Sequence, residues 1–248
     1  MATHFVRATL PLSLPCALPT SQAVIDHASR LPVRRRERFL AARALLAELM
    51  LKVYGLTPLP DLTTCKYGRP LFANRDLPDF SIAYAGNVIG ILLAEEGGRV
   101  GLDMEMVRAH SRQTIEYHQQ FISSSERTWI NAQPDPLEAS TQIWTLRQSV
   151  VKLAGEGERE MAAICLQPGA GRLRATRFPD VQVISDVEPS LVWSCALLAN
   201  TERLCLWDRE ADGSWRALRT LELNKPNPNI GSHMLRLTSL PQDRPLQA

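Results

Sequence analysis

The sequence predicts an α+β protein built from two similar, pseudo-symmetric halves. Two observations carry that expectation. Segments with helical apolar spacing are followed by strand-like segments, and this order occurs twice along the chain. The chain has 248 residues, 45% of them hydrophobic and 22% charged, so it can bury sizeable cores without disulfide or metal staples. The expected division is 1–98, 99–223 and a Pro/Asn-rich tail at 224–248.

Residues 1–33 are broken by Pro11, Pro15 and Pro19 and read as irregular. From Arg34 to Val53, Phe39, Leu40, Leu46, Leu49 and Met50 recur at helical spacing, and Gly55 is a natural stop. The first half of this helix is strongly basic, with Arg30, Arg34, Arg35, Arg36, Arg38 and Arg43 against Glu37. Residues 56–79 are punctuated by prolines and read as loops. Phe80–Ala85, Val88–Glu95 and Val100–Val107 read as strands joined by turns at Gly86-Asn87 and Gly97-Gly98. A helix is expected from Ser123, and a second from about Leu137 to Ala154 with Gly155 as its stop. Val181–Ile184, Leu191–Leu198, Leu204–Trp207 and Trp215–Leu223 return to strand character. The tail carries Gly231-Ser232-His233-Met234, a string common as an expression-vector scar though oddly placed inside the chain, and no functional residue is assigned to it.

Charge and cysteine content narrow the function classes. With 28 basic and 26 acidic residues the net charge is +2, which argues against a polyanion-coating protein. Only four of the basic residues are lysines, at 52, 66, 152 and 225. The cysteines at 16, 65, 165, 195 and 205 have no metal-ligand spacing and read as reduced thiols of a cytoplasmic protein. The longest clean apolar run, Val88 to Ala94, is too short to span a bilayer.

The most chemical segment is Val100 to Met106, where Val100, Leu102, Met104 and Met106 alternate with Gly101, Asp103 and Glu105. On a strand, both carboxylates share one face with Cα atoms roughly 6.5–7 Å apart. Such a pair suits a hard divalent cation that completes its shell with water and phosphate oxygens. It equally suits a strand with an acidic solvent face.

Gly101-Leu102-Asp103-Met104-Glu105 resembles the Gly-x-Asp-x-Glu motif of the Sfp-type 4′-phosphopantetheinyl transferases. Trp144 to Lys152 lies where that family has Trp-x-x-Lys-Glu-x-x-x-Lys. Arg35 to Leu46 is similar to the family's basic Arg-Arg-x-Arg-Phe-Leu helix, and Tyr67-Gly68-Arg69-Pro70 to its Tyr-Gly-Arg-Pro. Phe121 to Glu126 is similar to its Phe-Ser-x-x-Glu. The matches keep the family's order across residues 35–155.

The resemblance implies transfer of the 4′-phosphopantetheine arm of coenzyme A to a serine of an acyl or peptidyl carrier protein in fatty-acid, polyketide or related biosynthesis. It implies a cytoplasmic monomer with its active site between the halves, and neither nucleic acid nor a membrane as partner. By resemblance, Asp103, Glu105 and Glu126 would hold Mg²⁺. Arg36, Arg43, Arg69, Tyr84 and Lys152 would contact coenzyme A, with Lys152 and Gln148 at the catalytic positions.

Two of these residues and the basic segment have a second reading. Ser123-x-x-Glu126 is also a capping box. Lys152 also suits a helix end, where a cation meets the macrodipole. The basic segment could meet an acidic carrier-protein helix or, less consistently with the charge balance, nucleic acid.

The chain departs from the family at its chemistry. Arg147-Gln148 replaces Lys-Glu, removing a candidate base for the attacking serine. Ser81 to Ala85 lacks the family's Ser-His pair and has Ala83 and Tyr84 instead. Glu156, Glu158, Glu160 or a metal-bound hydroxide are the alternative bases. A catalytically impaired member that binds a carrier protein is therefore the second functional expectation. His110 and His118 read as surface histidines.

Overall fold

A computed structural model describes residues 1–12, 21–223 and 234–239. In chain order its elements are β1 (Ala2–Thr9), α1 (Gln22–Ser29), α2 (Val33–Tyr54), β2 (Leu62–Thr64), β3 (Pro70–Phe72), β4 (Phe80–Ala85), β5 (Val88–Ala94) and β6 (Val100–Met106). There follow α3 (Arg112–Gln119), α4 (Ser124–Asn131), α5 (Pro136–Ala154), β7 (Ile164–Gln167), β8 (Arg172–Ala175), β9 (Val181–Glu188), β10 (Leu191–Leu198), β11 (Arg203–Arg209), β12 (Trp215–Glu222) and β13 (Leu235–Ser239). Mixed helices and sheets make this an α+β protein.

The described residues form two compact units, one within 1–98 together with 201–223, the other of 99–200 with 234–239. The first unit thus includes a return of the chain at 201–223. Its cause is the parallel pairing of β11 with β1, which joins Ala2–Ala8 to Arg203–Arg209.

In the first unit the sheet runs β12-β11-β1-β5-β4, and α2 packs against it. The helix brings Ala41, Ala42, Leu45, Leu46, Leu49 and Met50 against Val6, Phe80, Ile89, Ile91 and Leu93. Its small alanines let the backbone approach the sheet. Gly55, with φ 66°, ends the helix in the left-handed region, and its N–H bonds Leu51 O at 2.9 Å. Residues 1–33, expected to be irregular, contain β1 and α1. β1 is an interior strand whose Phe5 and Val6 are buried, so its apolar residues lack the alternation of a half-exposed strand.

In the second unit the sheet runs β6-β10-β9-β13-β8-β7, with α5 lying across β6, β10 and β9. Ile143, Leu146, Val150 and Leu153 of α5 belong to its core with Val181, Val183, Ala196 and Leu237. Asp135 caps the helix by accepting the N–H groups of Leu137 and Glu138, and Gly155 (φ 70°) ends it. The expected tail is not uniform, since residues 235–239 form β13, paired with β9 and β8 around the buried Leu237. The string at 231–233 and residues 240–248 lie outside the described residues.

Candidate functional site

β6 and α5 meet at Gly101. A Cβ placed there would collide with Ser149 O and lie 2.5 Å from the Leu153 backbone nitrogen. Only a glycine lets the helix backbone come this close. The close approach brings Lys152, in the last turn of α5, to Asp103, with Nζ 2.7 Å from Oδ1. Asp103 is mostly buried, whereas the Lys152 side chain keeps 34% of its surface exposed.

Glu105 follows on the same face of β6 and is half-buried. Burial raises the Asp103 carboxyl above its ordinary range, and Lys152 pulls it back. Burial and then the nearby Asp103 raise Glu105, against the pull of Arg108 and Lys152. Gln148 lies one turn before Lys152 on α5 and is half-buried; Trp144, one turn earlier, is buried.

Glu126 has a different environment. Ser123 caps α4, its Oγ accepting the Glu126 N–H at 3.2 Å while Glu126 Oε2 accepts the Ser123 N–H at 2.6 Å. The second carboxylate oxygen, Oε1, accepts from Arg147 Nη2. Arg147 is itself buried, and its Nη1 donates to Met161 O at 3.0 Å and Ile164 O at 2.5 Å. Both oxygens of Glu126 are thus engaged by the chain's own donors. Among the described residues, no three His, Cys, Asp or Glu side chains are grouped to hold a metal ion. Asp103 and Glu105 alone make a two-carboxylate set, which fits Mg²⁺ when waters and phosphate oxygens fill the remaining positions.

The replacement bases suggested for the missing Glu include two that are already occupied. Glu156 and Glu160 both face Arg177 Nη1, at 2.9 and 3.6 Å.

In the first unit, the three expected coenzyme A arginines part company. Arg36 donates to Ala28 O, Ser29 O and Leu31 O at 3.1, 3.0 and 3.2 Å, closing the end of α1. Arg69 pairs with Asp79 at 2.6 Å and donates to Phe80 O. Arg43 lines a cavity of about 690 Å³ with His27, Phe39, Thr63, Thr64 and Gly68. Its guanidinium lies 3.7 Å from the Phe39 ring centre and hydrogen-bonds Tyr84, and its buried Nε has no hydrogen-bond partner. Burial lowers the Arg43 guanidinium from its ordinary range, and burial raises the Tyr84 phenol against the pull of Arg43 and Arg38.

The structure also adds residues that spacing did not reveal. Phe39 and Thr63 at the cavity belong to segments read only as helix core and loop. His118 is no plain surface histidine: its ring stacks on Trp144 with centroids 3.6 Å apart and planes 16° from parallel. Burial, and then the nearby His110, lower its pKa to about 4. The signal available in the sequence was the histidine's place on a short helix, where Tyr117 and Phe121 also pack against Trp144.

Comparison with known proteins places this geometry in context. A family model described as the 4′-phosphopantetheinyl transferase superfamily matches residues 99–206, which hold β6, α4 and α5. The chain is 39% identical over 245 residues to the Uncharacterized protein YieE of Escherichia coli (strain K12), covering 97% of this chain and 96% of that one. It is 31% identical over 131 residues to the 4′-phosphopantetheinyl transferase AcpT of the same strain, covering 52% of this chain and 64% of that protein. The AcpT of Salmonella typhi is 28% identical over 131 residues, 52% of this chain and 65% of its own length.

Proposed function

We propose that the chain, of which residues 99–206 match the 4′-phosphopantetheinyl transferase superfamily, moves the 4′-phosphopantetheine arm of coenzyme A onto a serine hydroxyl of an acyl or peptidyl carrier protein. The observation that carries this reading is the Lys152–Asp103 pair beside Glu105, on a strand pressed to its helix through Gly101. It combines a cation for a pyrophosphate with carboxylates for a hard metal, in the segment that matches the family.

In this reading the serine oxygen attacks the β-phosphorus and 3′,5′-ADP leaves. As in other phosphoryl transfers, the chain's task is positioning and charge stabilisation. Asp103 and Glu105 would hold Mg²⁺, which when bound neutralises charge on the pyrophosphate. Lys152 offers its ammonium to a pyrophosphate oxygen. Gln148 orients the reacting groups by hydrogen bonds, since an amide cannot take the serine proton. Glu126 stays with Arg147 and holds α4 to α5. Arg43, steadied by Phe39 and Tyr84, is assigned the phosphorylated nucleotide end of coenzyme A. The exposed Arg30, Arg34 and Arg35 offer a basic face to an acidic carrier protein.

A second reading, a member that binds carrier proteins without modifying them, is favoured by Gln148 and by the sealed Glu126–Arg147 pair. Mass spectrometry of apo carrier proteins incubated with coenzyme A and Mg²⁺ separates the two. The transferase reading expects a phosphopantetheine adduct that forms about 10²–10⁴-fold faster with Gln148→Glu. Carrier binding with no adduct from either form would leave only the second reading.

A further inference from the structure

We propose that Lys152 is a resident counter-ion of Asp103 that yields the carboxylate to a divalent cation only when a phosphate-bearing ligand draws the ammonium away. Metal and nucleotide then load together. This positioning role rests on the transferase reading above and deepens it.

Asp103 Oδ1 lies in the mostly buried part of the site and is already bonded to Lys152 Nζ at 2.7 Å. A divalent cation using the same oxygen would sit beside an ammonium, two like charges at contact distance. One of them must leave. Asp103 is fixed on the interior of β6, with its strand neighbours Leu102 and Met104 buried. Lys152 is a long, flexible side chain, partly exposed at the end of α5, so the ammonium is the mobile partner.

A pyrophosphate offers that ammonium a substitute acceptor, so one charge-assisted bond replaces another. Without it, the departing ammonium stays within the field of the incoming metal. Free metal therefore competes against Lys152, whereas metal arriving with phosphate does not. By linkage, the metal must strengthen nucleotide binding by the same factor.

The test reads binding and needs no turnover. Mg²⁺ is titrated calorimetrically into the nucleotide-free protein, into Lys152→Met, and into Arg108→Met. Arg108 acts on Glu105 through its charge and so controls for a general field effect. Lys152→Met is expected to bind Mg²⁺ about tenfold more tightly than wild type, and Arg108→Met less than about threefold. In wild type, 3′,5′-ADP is expected to raise Mg²⁺ affinity about tenfold or more.

A second measurement needs no variant. With only four lysines, the side-chain ¹⁵N signal of Lys152 can be assigned, and it should move fully only when Mg²⁺ and 3′,5′-ADP are both present. Equal gains in the two variants, no gain in Lys152→Met, or a complete shift with Mg²⁺ alone would each overturn the proposal. If 3′,5′-ADP binds none of the proteins, the transferase reading falls as well. If it binds but Mg²⁺ is indifferent to Lys152, only the counter-ion role falls.

Discussion

Two carboxylate–cation pairs hang from the same helix, α5, and they are built for opposite ends. Glu126–Arg147 is sealed, with side chains 1% and 2% exposed, and beyond their mutual bond Glu126 accepts from the cap N–H and Arg147 donates to two backbone carbonyls. Asp103–Lys152 is open on its cation side, and the bond between them is one that a ligand can replace. A sealed pair repays its desolvation only through complete hydrogen bonding, and so it is rigid. An open pair is worth little to stability and is free to exchange partners. Arg147, next to Gln148, thus serves the structure, while Lys152 holds a bond that it can exchange.

The largest expected effect is on the sealed side. Arg147→Met leaves Glu126 charged and buried with one lone partner, which costs about 3–5 kcal/mol when a buried pair is broken. For a chain of this size that lowers the melting temperature by roughly 10 °C. Removing the charge as well, in Arg147→Met with Glu126→Gln, should restore most of it. Lys152→Met on the open side should cost less than about 1 kcal/mol. Chemical denaturation measures all three, and equal losses at 147 and 152 would erase the distinction between the pairs.

A smaller effect tests how the open pair is positioned. Gly101→Ala forces β6 and α5 apart, because the new methyl meets helix backbone and not a movable side chain. Overpacking of this kind costs about 1–3 kcal/mol. The Arg147 contacts lie away from Gly101 on other elements, so the variant should loosen Lys152 from Asp103 while Glu126 stays paired. Mg²⁺ titration of the variant reads the first, and the slow exchange of the Ser123 amide, held by Glu126, reads the second. Loss of protection at Ser123 would mean that the two pairs are one unit.

These contrasts also explain what was legible in the sequence. Helices α2 and α5 were readable because helical apolar spacing ends at Gly55 and Gly155, each a left-handed cap. The acidic pair and Lys152 were readable because strand period two and a motif fix them locally. β1 and β13 were not, since each gains its place from partners far along the chain, Arg203–Arg209 for one and Gln182–Ser185 for the other. The Glu126–Arg147 pair was hidden for the same reason. Nothing near Arg147 in sequence says that a cap on α4 will lie against it. The capping box itself was legible, and the structure shows how the cap and the ion pair share one carboxylate, an oxygen each.

A pH-dependent effect concerns the same helix at Trp144, upstream of both pairs, where the His118 ring stacks on it. Its pKa of about 4 lies below the ordinary 6.5, with burial first and His110 second as causes. The unfolded chain then binds more protons than the folded one between pH 6.5 and 4, so stability is fully present above about pH 6.5 and falls as the pH drops through that window. Because solvent still reaches part of the ring, the loss should be about 1–2 kcal/mol and not the full value of the shift. His118→Phe keeps an aromatic surface against Trp144 without a titrating group, and its stability should be flat across the same window wherever wild type slopes. Urea melts at pH 7, 5.5 and 4.5 on both proteins measure the difference. A parallel slope in the variant would assign the pH dependence to groups other than His118, and not to Asp103 or Glu105, whose raised carboxyls would instead add stability as the pH falls.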